Sequence, residues 1–75
     1  MTPGAAVVRS TMASILSDLA RRLLDLGQRR PAQQLNLQAE MVAAGGDLDV
    51  AEAWRDAGRV YVAELEAAAG GGEAS

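Results

Sequence analysis

The side chains that most often carry out chemistry in proteins are scarce in this 75-residue sequence. Histidine, cysteine and lysine are absent, so a nucleophile would have to be a serine, a threonine or a carboxylate, and no serine has an obvious base to activate it. Without histidine and cysteine, disulfides and nearly all zinc and transition-metal chemistry are also excluded. We therefore predict a protein that is not an enzyme and that uses no cofactor and no metal ion.

Two pairs of carboxylates are the remaining candidates for a reactive or metal-binding site. Glu64 and Glu66 are two residues apart, so they point to different sides of a helix. Asp47 and Asp49 could offer oxygens to a hard cation, but a calcium loop needs more ligands at regular spacing. Helix capping explains these two aspartates better. Neither pair predicts a catalytic site.

Four arginines form the one basic concentration in the sequence, namely Arg21, Arg22, Arg29 and Arg30. They could contact phosphates or nucleic acid. They could instead favour the dipole at the C-terminal end of a helix and pair with Asp18 and Asp25, or dock against the acidic second half of the same or another chain. Because no aromatic residues are interleaved with them, we favour the structural interpretations. A dimeric nucleic-acid-associated regulator that uses these arginines remains the alternative.

The charge of the chain is unevenly distributed along its length. The net charge is −3, yet residues 1–31 hold five arginines and two aspartates, whereas residues 32–75 hold two arginines and eight acids. A negative net charge disfavours a general nucleic-acid binder.

The first eight residues do not resemble a secretory signal, and no apolar run approaches the ~20 residues of a membrane span. We therefore expect a cytoplasmic protein without a membrane partner, although export without a cleaved signal stays open.

The composition favours helices over strands. Alanine and leucine dominate, phenylalanine is missing, and Trp54 and Tyr61 are the only aromatic residues. Glycine and proline divide the chain into three helical segments, at about residues 7–26, 31–44 and 50–69, followed by a flexible tail at residues 70–75. The sequence thus predicts a single all-α domain at 1–75, with a long first helix, a short second and a long third in a hairpin-like arrangement.

The first helix carries the strongest periodic signal. Its apolar residues recur at alternating spacings of four and three, and they are Met12, Leu16, Leu19, Leu23 and Leu26. This spacing places them on one stripe of a helix that Gly27 can end. In the second helix the corresponding face contains Leu35, Ala39 and Val42, with Leu37 and Met41 beside them. Pro31 suits the first turn of this helix.

The third helix is predicted to begin after Asp49, which with Glu52 has the spacing of a capping box. Its apolar stripe contains Ala51, Trp54, Gly58, Tyr61, Leu65 and Ala68. The residues Trp54, Ala57, Gly58 and Tyr61 resemble the first helix of a tetratricopeptide repeat. Because the helix continues after Tyr61 where that family turns, we assign no family and expect only close packing at Gly58.

These two apolar stripes and the breadth of the first helix exceed what a single small core needs to cover. A chain this short buries only about 60% of its unfolded surface, and a second subunit is a common way to stabilise such a protein. We therefore expect a homo-oligomeric protein-interaction module, a small accessory or regulatory component of a larger assembly that also contains another protein. The predicted interface residues are Trp54, Gly58, Tyr61, Leu65, Leu16, Leu19 and Leu23.

Overall fold

Glycine and proline lie where one helix gives way to the next. In the computed structural model, which describes residues 3–74 and the side chains of residues 4–70, the helices are α1 (Pro3–Asp25), α2 (Arg29–Ala43) and α3 (Leu48–Ala74). The predicted all-α class and the order long, short, long are confirmed, and the described residues form no strand. Met1, Thr2 and Ser75, which the predicted domain range also includes, lie outside the described residues.

A left-handed glycine follows the C-terminal end of both α1 and α2. Gly27 has a φ of 79°, and the amide of Gln28 donates to the carbonyl of Leu23 over 2.8 Å. The amide of Gly27 donates to Leu24 over 3.0 Å, which completes a Schellman motif. Gly45, with a φ of 106°, occupies the same position after α2. Both helices therefore end at a glycine in the left-handed region, a conformation that glycine adopts without steric cost because it has no Cβ.

The first two helices begin earlier than the sequence predicts. α1 starts at Pro3 rather than at residue 7, and α2 starts at Arg29 rather than at residue 31, so Pro31 is its third residue. The amides of a first helical turn have no intrahelical acceptor, and proline therefore loses no hydrogen bond there. Arg29 and Arg30 consequently belong to the first turn of α2 and not to the preceding loop.

The third helix extends beyond its predicted bounds at both ends. It starts at Leu48 rather than near Val50, and it continues through the three glycines at residues 70–72 to Ala74 instead of ending near residue 69. Glycine lowers helix propensity by about 1 kcal/mol relative to alanine but leaves helical φ and ψ accessible. Within the described residues, only Gly27 and Gly45 have positive φ.

Two side-chain contacts define the direction of the helices. Arg9, near the start of α1, reaches the carbonyl of Val42 at the end of α2. Tyr61 of α3 reaches Gln28 in the α1–α2 turn. Hence α2 runs antiparallel to α1, and α3 returns parallel to α1. Residues 4–8 of α1 and 66–70 of α3 are all exposed, because each helix projects beyond the shared core. The described chain is consequently elongated, 54 Å long and 20 Å by 15 Å across.

One core joins the three helices. It contains Met12, Leu16, Leu19, Ala20, Leu23, Ala32, Leu35, Ala39, Val42, Ala51 and Val62. The predicted stripe of α1 is thus buried, with Leu26 half-buried at its end. The predicted stripe of α3 is buried only in part, since Val62 replaces Tyr61 at the centre of the packed face and Ala68 is exposed. None of the described helices has a stretch sufficiently long and apolar to cross a membrane.

Candidate functional site

Four of the predicted interface residues lie inside the chain. Leu16, Leu19 and Leu23 are buried in the core, and Gly58 of α3 is buried against α1 and α2. A Cβ atom added at Gly58 would lie 3.1 Å from Cδ1 of Leu35 and 3.3 Å from Cδ1 of Leu19. The close approach expected at Gly58 therefore occurs between helices of one chain. These residues could contact a second molecule only if the helices separated.

The other three predicted residues lie at the edge of the packed face of α3. Trp54, Tyr61 and Leu65 are half-buried and pack against the core. The hydroxyl of Tyr61 donates to Oε1 of Gln28 over 2.8 Å, so one polar contact ties α3 to the α1–α2 turn. These side chains mainly hold α3 in place and leave part of their surface accessible.

Several exposed apolar side chains lie outside this face, and three of them are on α2 and at the start of α3. Leu37 and Met41 are one helical turn apart, and they are 53% and 48% exposed. Met41 and Val50, which is 46% exposed, line one shallow pocket of about 90 Å³. We call Leu37, Met41 and Val50 the outer apolar patch. The sequence analysis placed Leu37 and Met41 beside the buried stripe of α2. The buried face of α2 instead extends toward its start through Ala32, which the sequence analysis omitted.

A longer groove lies between α1 and α2, and its volume is about 1120 Å³. Its walls are mostly small side chains, among them Ala6, Ser10, Ala13 and Ala43. None of its serines has a histidine or lysine beside it, because the chain has neither residue type. Asp18 and Glu40 also line the groove. Groups of three or more metal-ligating side chains are not found among the described residues.

The four predicted arginines gather at one end of the molecule and are exposed there. Arg21 and Arg22 lie in the last turns of α1, and Arg29 and Arg30 lie in the first turn of α2. The expected pairing with Asp18 and Asp25 does not occur, since the one ion pair within residues 4–70 joins Arg55 to Asp56. We call these four residues the arginine end.

The opposite end of the molecule is acidic. The turn between α2 and α3 and the helical segments beside it carry Glu40, Asp47, Asp49 and Glu52, all exposed. We call these four residues the acidic end. Asp47, not Asp49, caps α3: its Oδ1 accepts from the amides of Asp49 at 2.8 Å and Val50 at 3.4 Å. The predicted capping box of Asp49 and Glu52 is therefore wrong, because both residues already lie within the helix.

One residue that the sequence analysis missed, Arg9, completes this end of the structure. Its Nη1 donates to the carbonyls of Gly46 at 2.6 Å and Val42 at 3.3 Å. The guanidinium therefore satisfies carbonyl groups at the C-terminal end of α2, where a cation is also favoured by the helix dipole. The sequence places Arg9 on the apolar stripe of α1, three residues before Met12, but no local pattern indicates the carbonyls of Val42 and Gly46 as its acceptors.

Comparison of the chain with protein-family models, with curated proteins and with solved structures finds no significant match.

Proposed function

We propose that this chain is a non-enzymatic protein-interaction module that self-associates through the outer apolar patch, as a small accessory or regulatory component of a larger cytoplasmic assembly. The observation that carries the proposal is the pair Leu37 and Met41. Both point away from the core on the same side of α2, and Val50 extends their surface onto α3. Single exposed apolar residues are normal in proteins, whereas large contiguous apolar patches mark interaction sites.

The small size of the chain supports the same proposal. The core is built largely from leucine, alanine and valine, and the ends of α1 and α3 project beyond it without burying a face. Removing a half-exposed leucine or methionine from water contributes on the order of 1 kcal/mol or more. A contact through the outer apolar patch would therefore add stability that the monomer lacks.

Sedimentation velocity over a wide concentration range tests this proposal. We expect the parent protein to associate reversibly and Leu37→Ser to shift it toward monomer without loss of helicity. Leu24→Ser is the matched control, because Leu24 is a leucine of almost equal exposure, 50% against 53%, on a different helix. A folded parent protein that is monomeric at every concentration, or equal weakening by both variants, contradicts the proposal.

The second candidate function is association of a dimer with nucleic acid through the arginine end. The clustering of four exposed arginines at one end of the molecule favours it. Fluorescence anisotropy with labelled single-stranded and duplex DNA and RNA tests it. Binding at low salt that collapses with modest added salt supports this function, and no binding at low salt removes it.

A further inference from the structure

The charges along α2 run opposite to the direction that its own dipole favours. Arg29 and Arg30 occupy the first turn, where the helix carries a partial positive charge, and Glu40 lies in the last turn, where the partial charge is negative. The side chain of Gln28, at the N-cap position, does not cap the helix, because it accepts from Tyr61 instead. Each misplaced charge destabilises α2, most strongly at low salt.

The chain compensates these charges only in part. Arg9 places a cation at the C-terminal end of α2, where it donates to the carbonyls of Val42 and Gly46, but Arg29 and Arg30 form no ion pair within residues 4–70. Arg29 and Arg30 lie at the opposite end of α2 from Asp47 and Asp49, and a helix of 15 residues separates the two ends by about 22 Å. Within residues 4–70, the arginine end forms no ion pair with the acidic end. Asp25 also lies at the arginine end, so the opposite charges that matter are those along α2: Arg29 and Arg30 at its start, and Glu40 with the following Asp47 at its end. A helix with this arrangement is complementary to an inverted copy of itself.

We propose that two copies of this chain pair antiparallel through α2 about a two-fold axis, with the outer apolar patch at the centre. Arg29 and Arg30 of each copy then face Asp47 and Asp49 of the other. This inference rests on the self-association proposed above and specifies its partner, its face and its direction.

The positions of the apolar residues define the register of this contact. A two-fold axis midway between Leu37 and Met41 places Leu37 of each copy against Met41 of the other. Arg30 lies about 13 Å from that axis along α2. On the other side of the axis, α2 ends at Ala43, and the turn that carries Asp47 follows directly. Each Arg30 therefore extends about 7 Å past Ala43 of the other copy, toward the turn that carries Asp47, where the side-chain charges are opposite.

The two-fold symmetry follows from the use of one surface by both copies. Each copy carries the outer apolar patch, Arg30 and Asp49. A single inverted contact therefore covers both patches and pairs the Arg30 of each copy with the Asp49 of the other. A head-to-tail contact between the arginine end and the acidic end would leave the outer apolar patch uncovered. The expected product is a closed dimer whose stability decreases with added salt, because its outer contacts are exposed ion pairs.

Charge reversal tests the direction of the contact. Arg30→Glu and Asp49→Arg should each weaken the dimer about tenfold, because each places like charges opposite one another twice. An equimolar mixture of the two variants should restore dimers of parental affinity, since both contacts in the mixed dimer join opposite charges. Arg21→Glu is the control that should leave the parental affinity unchanged. Separate variants as tightly associated as the parent, or a mixture that stays monomeric, would overturn the proposal.

Cysteine crosslinking gives an independent measurement that does not alter charge. The sequence contains no cysteine, so disulfides can form only at introduced positions. A mixture of Leu37→Cys and Met41→Cys should give crosslinked heterodimers under mild oxidation, whereas Leu24→Cys with Met41→Cys should not. Association of the parent without this crosslink or charge restoration rejects the antiparallel contact alone. A monomeric parent rejects the proposed self-association as well.

Discussion

The hydroxyl of Tyr61 in α3 donates a 2.8 Å hydrogen bond to Oε1 of Gln28, the residue at the N-cap position of α2. The two residues are 33 positions apart in the sequence, and their contact is partly buried. Gln28 also donates its amide to Leu23 in the cap of α1. One residue thus connects all three helices.

Tyr61→Phe should lower the free energy of unfolding by about 0.5–1.5 kcal/mol, because it removes this hydrogen bond while keeping the ring. Gln28→Ala should have a similar effect. Chemical denaturation of both single variants and of the double variant measures the coupling between them. Fully additive losses would show that the two side chains do not interact in solution.

Asp47→Ala should lower the free energy of unfolding by about 0.5–2 kcal/mol, because Oδ1 of Asp47 accepts from two amides in the first turn of α3. Asp49→Ala should cost less, about 0.3–1 kcal/mol, since it removes only a favourable charge near the helix N-terminus. Thermal melts of the two variants compare these effects directly. A larger loss for Asp49→Ala would support the capping box that the sequence suggests.

Gly58→Ala should destabilise the protein even though alanine has the higher helix propensity. The added methyl group would press on Leu35 at 3.1 Å and Leu19 at 3.3 Å, and both leucines are buried. Overpacking costs about 1–3 kcal/mol, which exceeds the gain of about 1 kcal/mol in propensity. Gly58→Leu should be far worse.

Gly70→Ala is the matched control for this substitution in the same helix. No atom lies within 4 Å of a Cβ added at Gly70, so better propensity should leave stability unchanged or raise it. Helicity at 222 nm during denaturation reports both variants. A gain in stability for Gly58→Ala equal to that for Gly70→Ala would mean that the two leucines yield without cost.

Arg9→Met should lower the free energy of unfolding by about 1.5–3 kcal/mol, because it keeps much of the aliphatic stem but removes charge-assisted hydrogen bonds to Gly46 and Val42. Arg9→Lys should retain part of this stability through its charge at the helix end. Arg59→Met, at an exposed position in α3, is the control. Equal melting temperatures for Arg9→Met and Arg59→Met would contradict a capping role for Arg9.

The local sequence determined the helical class and most of the core. The spacing of Met12, Leu16, Leu19 and Leu23 suffices to bury them together, because side chains three and four apart share one helix face. Gly27 marked the end of α1, since a left-handed cap depends on that residue and its immediate neighbours. The sequence determined the starts of the helices less well. α1 begins at Pro3 and α2 at Arg29, both earlier than predicted, because the amides of a first helical turn need no intrahelical acceptor and local residues constrain them little.

The tertiary structure decided which apolar residues are covered and which remain outside. Leu35 is buried and Leu37 is exposed, although both are leucines of α2, because α1 and α3 together cover only one side of that helix. Gly58 likewise contacts Leu35 and Leu19 inside the chain, because the packing of α3 against α1 and α2 places it there. Arg9 caps α2 by donating to Val42 and Gly46, which lie 33 and 37 positions further along the chain, so no local sequence pattern contains this contact. Long-range contacts of this kind depend on how the helices pack, which periodicity alone does not specify.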